Sequence, residues 1–231
     1  MSTISQNIAD IRGRIADACA RAGRKSTDVR MLAVSKFVAA ERIAEAIDCG
    51  LTEFGENRAQ ELREKQTFFE KHGCMVHFIG QLQTNKVRYV CGVVDMVQSL
   101  DRIPLAEALS ARAVELGCVQ DVMIQVNIGG EAQKGGIPVA DLEHFMRHVI
   151  ACDGLHVTGL MCVPPAVEPA AVRQYYAKMR ALRGMLNNSF PGKPIRELSM
   201  GMSHDFEAAI EEGATIVRIG TGVFGARRAN A

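Results

Sequence analysis

Short apolar segments alternate with amphipathic helical segments along this 231-residue chain. Apolar β-forming runs predict eight strands, at residues 31–36, 52–55, 75–80, 95–99, 122–126, 155–161, 195–199 and 215–219. Apolar spacings of three and four predict helices at 4–22, 40–48, 58–71, 85–91, 102–116, 139–151, 168–186 and 205–211. Eight alternating units indicate one α/β domain over residues 1–231, a (β/α)8 TIM barrel whose extra N-terminal helix completes the outer ring. An open doubly wound sheet is the alternative.

The charge balance and the cysteines narrow the class of protein. Lys and Arg total 27 against 26 Asp and Glu, so no basic field attracts nucleic acid, and small metabolites are the expected ligands. Seven cysteines, an odd number without a C-x-x-C pair, argue against disulfides and against a zinc site. The first residues lack a signal-peptide profile, and no apolar run approaches the ~20 residues of a membrane span. We therefore expect a cytoplasmic protein that binds neither membrane nor metal.

The first predicted strand ends abruptly in a lysine. Met31–Val34 have the character of a buried strand, and Lys36 follows at the carboxyl end, where barrel proteins place their active groups. Desolvation disfavours the charged form of a lysine, and a neutral amine attacks a carbonyl group to form an imine. Taken alone, the segment fits a lysine that extends to solvent better than a nucleophile. The rest of the chain must decide between these two interpretations.

The loops after the last two predicted strands have the composition of an anion site. In barrels of this type, phosphate is usually held by the loops after strands seven and eight. The first loop, residues 199–203, offers hydroxyls and a glycine before a helix, and the second, residues 220–225, offers three glycines and Thr221. The second loop also matches the G-x-G-x-x-G dinucleotide pattern, but the sequence stops at Ala231, before the βα unit and the acidic residue that this pattern needs. A phosphate group is therefore expected there.

Arg218 lies two residues before Gly220 and shares its face of the predicted strand. A buried arginine is costly unless it contacts a ligand or a carboxylate, so Arg218 predicts either a ligand contact or an ion pair at the strand end. Histidines give weaker signals. His144 and His148 stand four residues apart on a helix, but no third metal ligand is evident. His77, at the start of the third strand, is expected at the opposite, structural end of the barrel.

Seven stretches of the chain match the motifs of one known family. They are Leu32–Lys36, Phe54–Asn57, His77–Lys86, Gly159–Met161, Leu198–Ser203, Val217–Thr221 and Phe224–Arg227. Through them the chain resembles the pyridoxal phosphate homeostasis protein family over nearly its whole length. The resemblance implies a PLP-binding barrel like the amino-terminal domain of alanine racemase, with pyridoxal 5'-phosphate (PLP) held as an imine on Lys36.

The resemblance also assigns the other residues of the cofactor site. It implies that Arg218 faces the pyridine nitrogen and that Asn57 lies near the ring. The residues that it places around the phosphate are Ser199, Gly201, Gly220, Thr221 and Gly222. The family's pattern is not followed everywhere, because Arg58 stands where the family often has tyrosine and Val76 where it often has tryptophan. Residues 37–39 also replace a more polar stretch, so these departures concern the rim of the pocket.

The function expected from the resemblance is a PLP carrier that acts in cofactor homeostasis and in the linked amino-acid balance. The alternative is a PLP-dependent racemase or decarboxylase, which needs acid and base groups on both faces of the substrate's α-carbon. The sequence ends soon after the eighth strand, and an arginine against the pyridine nitrogen weakens the electron sink, so a non-catalytic protein is favoured. A third class, an aldolase barrel, would form its imine with the substrate and use no cofactor. We expect a monomer whose recipients are PLP-dependent enzymes.

Overall fold

The computed structural model describes residues 3–131 and 133–225, so Ala226 and Arg227 of the last family-like motif lie outside the described residues. The strands are β1 Arg30–Val34, β2 Glu53–Glu56, β3 Met75–Phe78, β4 Met96–Leu100, β5 Gln120–Asn127, β6 Ile137–Pro138, β7 Leu155–Met161, β8 Glu197–Met202 and β9 Ile216–Ile219. The helices are α1 Ile4–Arg21, α2 Ala40–Asp48, α3 Ala59–Lys71, α4 Ile103–Glu115, α5 Leu142–Val149, α6 Pro169–Ser189, α7 Phe206–Glu211 and α8 Thr221–Phe224. Short 3₁₀ turns lie at Ser26–Asp28, Thr84–Tyr89 and Val139–Asp141.

The strands form a closed parallel barrel. Neighbouring strands follow the order β4-β3-β2-β1-β9-β8-β7-β5, and the additional pairing of β4 with β5 closes the ring. The two-residue strand β6 pairs with β5 in a separate small sheet. The predicted eight-stranded (β/α)8 barrel is therefore confirmed, and β6 adds a pairing that the apolar pattern did not reveal.

Apolar side chains fill the structure on both sides of the strands. Inside the barrel, Leu32, Met96, Met123, Met161 and Ile216 form one buried cluster. A much larger cluster packs the outer face of the strands against the helices. Successive side chains of a strand point to opposite faces, so β1, β4, β5, β7 and β9 each contribute to both clusters. The barrel interior is a packed core, and any polar group inside it needs a hydrogen-bonding partner.

Helix α1 completes the outer ring, as predicted. A capping box between Thr3 and Gln6 begins the helix, and its buried face carries Ile4, Ile8, Ile11, Ile15, Ala18 and Cys19. This face packs against α7, α8 and α2. Burial of each isoleucine contributes about 1.5–3 kcal/mol, so the helix joins the first and last parts of the described chain into one core.

The boundaries of some elements differ from the sequence-based expectation. Residues 85–91 were expected to be helical, but only a 3₁₀ turn at Thr84–Tyr89 forms there. The strand expected at 195–199 continues to Met202, so residues 199–202 belong to a strand and not to a loop. Gly201 has a φ of 91°, and the pairing with β9 shifts register between Ser199 and Met202, so a glycine-dependent bulge extends the strand.

Three chemical features of the described residues bear on function. Across residues 3–131 and 133–225, no helix combines the length and the apolar character that a membrane crossing requires. All seven cysteines are free thiols. No group of three or more His, Cys, Asp and Glu side chains in the same residues could hold a metal ion.

Candidate functional site

Lys36 lies in the turn that follows β1, at the carboxyl-terminal mouth of the barrel, and it is partly buried. Strand β1 lies between β2 and β9, so the parallel register continues from Lys36 to Asn57 on one side and to the Gly220 region on the other. The next residue, Phe37, has a φ of 61°, which is strained for an aromatic residue, and its N–H donates to Glu61 Oε2 at 2.8 Å. The backbone around Lys36 is thus held in a specific, strained turn.

A buried ion pair fixes the strand ends beside Lys36. Ser35 Oγ donates to Glu56 Oε1 at 2.7 Å, and Lys65 Nζ donates to the same oxygen at 2.9 Å and to the Ser35 carbonyl at 2.8 Å. Burial raises the pKa of the Glu56 carboxyl, and the nearby Lys65 ammonium partly offsets this effect. Removal of one partner of such a pair typically costs about 3–5 kcal/mol. The pair therefore positions the residues that precede Lys36 and Asn57.

Asn57 comes directly after β2 and carries a polar atom without a hydrogen-bond partner in the described part of the chain. Its Oδ1 is buried and has no hydrogen-bond partner among the described residues. The backbone of Asn57 passes close to Gly80. A Cβ added at Gly80 would lie 2.1 Å from the Asn57 carbonyl oxygen, so only glycine at position 80 allows this approach. A buried acceptor without a partner costs about 1–3 kcal/mol, and a ligand with a donor group at this position would remove that cost.

Arg218 brings a buried cation to the mouth of the barrel. Its side chain belongs to β9, is 5% exposed, and donates from Nη1 to Ser199 Oγ at 2.7 Å and from Nη2 to the Cys162 carbonyl at 2.8 Å. Burial lowers the pKa of the guanidinium from its ordinary value. The ion pair that sequence reasoning kept open does not form among the described residues, and a guanidinium has five N–H donors. Arg218 can therefore donate to a ligand that offers a lone pair.

A line of hydrogen bonds connects Arg218 with the opposite end of the barrel. Ser199 Oγ, which accepts from Arg218, donates to Gln98 Oε1 at 2.6 Å, and Gln98 Nε2 lies 2.7 Å from His77 Nδ1. Because the Gln98 amide nitrogen can only donate, His77 Nδ1 accepts, and the proton of the neutral ring is on Nε2, 3.8 Å from Glu53 Oε2. Every donor in this line points away from the mouth.

His77 should make stability depend on pH. Burial, with the nearby Arg30 charge, lowers the pKa of His77 from 6.5 to about 4. The unfolded chain then binds a proton that the folded protein does not, so the free energy of unfolding should fall by up to about 3 kcal/mol as pH decreases from 6.5 through 4. Denaturant unfolding at several pH values should show a shallower decrease for His77→Gln. An equal decrease in both proteins would contradict this assignment.

The predicted phosphate residues lie in two different environments. Gly220 precedes the short helix α8, and Thr221 and Gly222 begin it, where a loop was expected after the last strand. Ser203 links the start of α8 to the end of β8, because its Oγ accepts from the Gly222 N–H at 3.2 Å and lies 3.3 Å from Thr221 Oγ1. The remaining two residues lie within β8.

The loop placement of Ser199 and Gly201 was wrong, because β8 continues through both residues. Ser199 is fully buried, and its hydroxyl is engaged by Arg218 and Gln98. A Cβ on Gly201 would lie 2.6 Å from the Ala209 Cβ, so packing already requires glycine there.

Sequence reasoning missed several residues that shape the mouth. Gln98 and Glu56 are buried polar residues within strands, and Ser203 was considered only as part of a loop. A polar residue in an otherwise apolar strand is the signal that could have identified Gln98, because burial without a partner is costly. His77 was expected at the structural end of the barrel, but it also takes part in the hydrogen bonds that reach Arg218.

Comparison with known proteins identifies the class. Residues 6–228 match the family described as "Alanine racemase, N-terminal domain", so the barrel and its lysine-bearing mouth define a protein of that class. The chain is 46% identical to the pyridoxal phosphate homeostasis protein of Aquifex aeolicus over 224 residues, which cover 96% of this chain and 98% of that protein. It is 42% identical to the protein of the same name from Escherichia coli, over 98% of both chains. The chain belongs to the pyridoxal phosphate homeostasis protein family, as its motifs indicated.

Solved structures agree with this assignment. PipY of Synechococcus elongatus, in a structure described as having PLP bound, superimposes with a TM-score of 0.85 at 32% identity and covers 96% of this chain and 100% of that chain. A protein from Bifidobacterium adolescentis, described as unknown, gives a TM-score of 0.89 at 36% identity, over 95% of this chain and 94% of that chain. Alanine racemase from Corynebacterium glutamicum, at 19% identity, shares the fold with a TM-score of 0.67 over 96% of this chain and 62% of its own.

Proposed function

We propose that this protein binds PLP at the mouth of its barrel and acts in PLP homeostasis and the linked amino-acid balance. The observation that carries the proposal is the buried guanidinium of Arg218, which lacks a carboxylate partner among the described residues and has donors to spare. An unprotonated pyridine nitrogen is a lone-pair acceptor of the kind that such a cation needs. PLP supplies an aldehyde that condenses with primary amines and a phosphate that binds clustered N–H and O–H donors. The close relatives carry the name of PLP homeostasis proteins.

Each residue would have a separate role in holding the cofactor. Lys36 supplies the amine, and Arg218 donates to the pyridine nitrogen. Asn57, whose Oδ1 lacks a partner among the described residues, accepts a donor near the ring. The expected phosphate contacts are the α8 turn Gly220–Gly222, with Ser199 and Gly201 acting from β8 behind it. Because the hydroxyl of Ser199 already accepts from Arg218, its contribution is to hold that guanidinium in place.

The chemistry at the mouth favours a carrier over an enzyme. A cationic donor opposite the pyridine nitrogen keeps that nitrogen unprotonated and so weakens the electron sink on which racemases and decarboxylases depend. The close relatives are named for homeostasis and not for a reaction. We further propose that residues 1–231 form one domain, that the protein is a monomer in the cytoplasm, and that PLP-dependent enzymes are the recipients.

A spectral titration combined with activity assays tests this function. We expect the purified protein to develop a visible absorption band that saturates with PLP, while racemase and decarboxylase activities stay at background. A turnover near the ~1 s⁻¹ of slow ordinary enzymes that disappears in Lys36→Ala would instead show that the protein is a racemase or decarboxylase. Absence of the band, together with trapping of a carbonyl substrate by borohydride, would favour the aldolase class.

A further inference from the structure

A second concave site lies beside the barrel mouth, on the other side of Asn57. It is a cavity of about 460 Å³ between the start of α3 and the segment that follows β3. Its lining includes Asn57, Arg58, Arg63, Phe78, Lys86 and Tyr89. This volume is within the range of small-molecule sites. We call it the α3 groove.

The α3 groove concentrates positive charge. Arg63 Cζ and Lys86 Nζ lie 6.0 and 5.7 Å from the centroid of the Tyr89 ring, and Arg88 Cζ lies 4.6 Å from it. Neither Arg63 nor Lys86 forms an ion pair within residues 3–131 and 133–225, and the described lining of the cavity includes no carboxylate. Cations gathered around one ring repel each other, and an aromatic face offsets this only in part. An anion in the groove would remove the repulsion.

The uncharged lining also suits an anion with polar substituents. Helix α3 begins at Ala59 without a side-chain cap, so the N-terminal end of a 13-residue helix contributes to the groove. Gln60, Gln81 and Gln83 add carboxamide groups to the lining. Arg58 stacks over the Phe37 ring at 4.7 Å and so connects the rim of the groove with the turn beside Lys36.

We propose that the α3 groove binds a small molecule that carries a dianionic group, either a phosphate monoester or a dicarboxylate. Two guanidinium groups and one ammonium group provide the fork-like and point-charge donors that both anions accept. The lining of the groove includes neither Lys36 nor the α8 turn, although it shares Asn57 with the barrel mouth, so we expect its occupant to bind beside any ligand at the mouth. The charges are exposed, so binding should weaken as salt increases.

Titration of PLP-saturated protein tests the proposal, because the barrel mouth is then already filled. The probes are glycerol 3-phosphate, succinate and neutral glycerol, followed by ¹H–¹⁵N NMR at low ionic strength. We expect saturable shifts of groove amides with one or both dianions and none with glycerol, and the tighter dianion identifies the source of the charge. The double variant Arg63→Gln/Lys86→Gln should weaken binding by roughly tenfold or more. Lys71→Gln, which removes one positive charge at the far end of α3, should have little effect.

Three results of these titrations on PLP-saturated protein would overturn the proposal. They are the absence of saturable shifts with either dianion, equal affinity in the parent protein and the double variant, and an equal loss in Lys71→Gln. The same titrations on PLP-free protein separate this site from the barrel mouth. Shifts confined to the α8 turn in PLP-free protein and absent after PLP saturation would mean that the dianion binds only at the mouth, which would also overturn the proposal.

Discussion

Lys36→Ala should abolish the visible absorption band of the PLP-saturated protein and its covalent labelling by borohydride. Lys36 follows β1 at the mouth, next to Asn57 and the α8 turn, and no other residue of the turn after β1 carries a primary amine. We expect complete loss of the covalent complex, while the folded structure persists, because the pair formed by Glu56 and Lys65 holds the adjacent strand ends without the Lys36 side chain. Absorption spectra and peptide mapping after reduction measure both effects.

Other lysines provide the controls for this experiment. Lys86→Ala and Lys134→Ala should retain the band and the label, because Lys86 lies in the α3 groove and Lys134 donates to the Pro164 carbonyl at 2.8 Å. Circular dichroism of Lys36→Ala should match that of the parent protein. A reduced label on Lys86 or Lys134 in the parent protein would show that the central assignment is wrong.

Pyridoxal without its phosphate should bind at least two orders of magnitude more weakly than PLP. Charge-assisted hydrogen bonds to a phosphate contribute roughly 1.5–3 kcal/mol each. The proposed phosphate site, which we call the cradle and which is formed by the α8 turn with Ser199 and Gly201, supplies several of them. Thr221→Ala should cost about 1 kcal/mol of PLP binding, since it removes one donor. Gly220→Val should cost more, because it fills the space through which the phosphate approaches the backbone. Equilibrium titration of each variant with both ligands gives these differences directly.

The surroundings of Gly220 make it the better glycine for this test. A Cβ at Gly220 would have only ordinary contacts, the nearest being the Val34 Cβ at 3.5 Å, so the fold can accept the substitution. A Cβ at Gly222 would lie 2.8 Å from Ile219 Cγ2, and loss of binding there would also reflect damaged packing. Gly192→Val, at a position with nothing within 4 Å of the added Cβ, serves as the control. Equal affinity of the parent protein for PLP and pyridoxal would rule out the cradle.

The alternation of apolar strands and amphipathic helices was sufficient to predict the barrel. Helix Ala40–Asp48 and strand Leu155–Met161 begin and end where the pattern predicted, because apolar periodicity and flanking glycines report local structure. Apolar periodicity and flanking glycines did not predict that β8 extends to Met202. A Ser-Met-Gly-Met-Ser sequence has the composition of a loop, and only pairing with β9 makes it a bulged strand.

The positions of two candidate residues were predictable, because each is tied to the end of an apolar strand. Lys36 was expected at the carboxyl end of the first strand and Arg218 on the last strand, and both lie there. Their contacts with a cofactor stay predictions. The supporting contacts were not predictable, because they join residues far apart in sequence. Ser199 and Gln98 are 101 residues apart, and Lys65 reaches from α3 to the end of β1. Barrel closure brings these groups together, and local sequence patterns do not predict which distant residues will meet.

The directional hydrogen bonds from Arg218 to His77 restrict how this barrel can change during evolution. Ser199 and Gln98 each donate to one neighbour and accept from the other, so the line has a single workable orientation. Replacement of His77 by a residue that only donates would force Gln98 to turn its amide, and the hydroxyl of Ser199 would then lose its acceptor. A substitution that leaves position 77 without an acceptor is therefore tolerated only when positions 98 and 199 change with it. Sequence drift at the two ends of this barrel is coupled, although the ends share no surface.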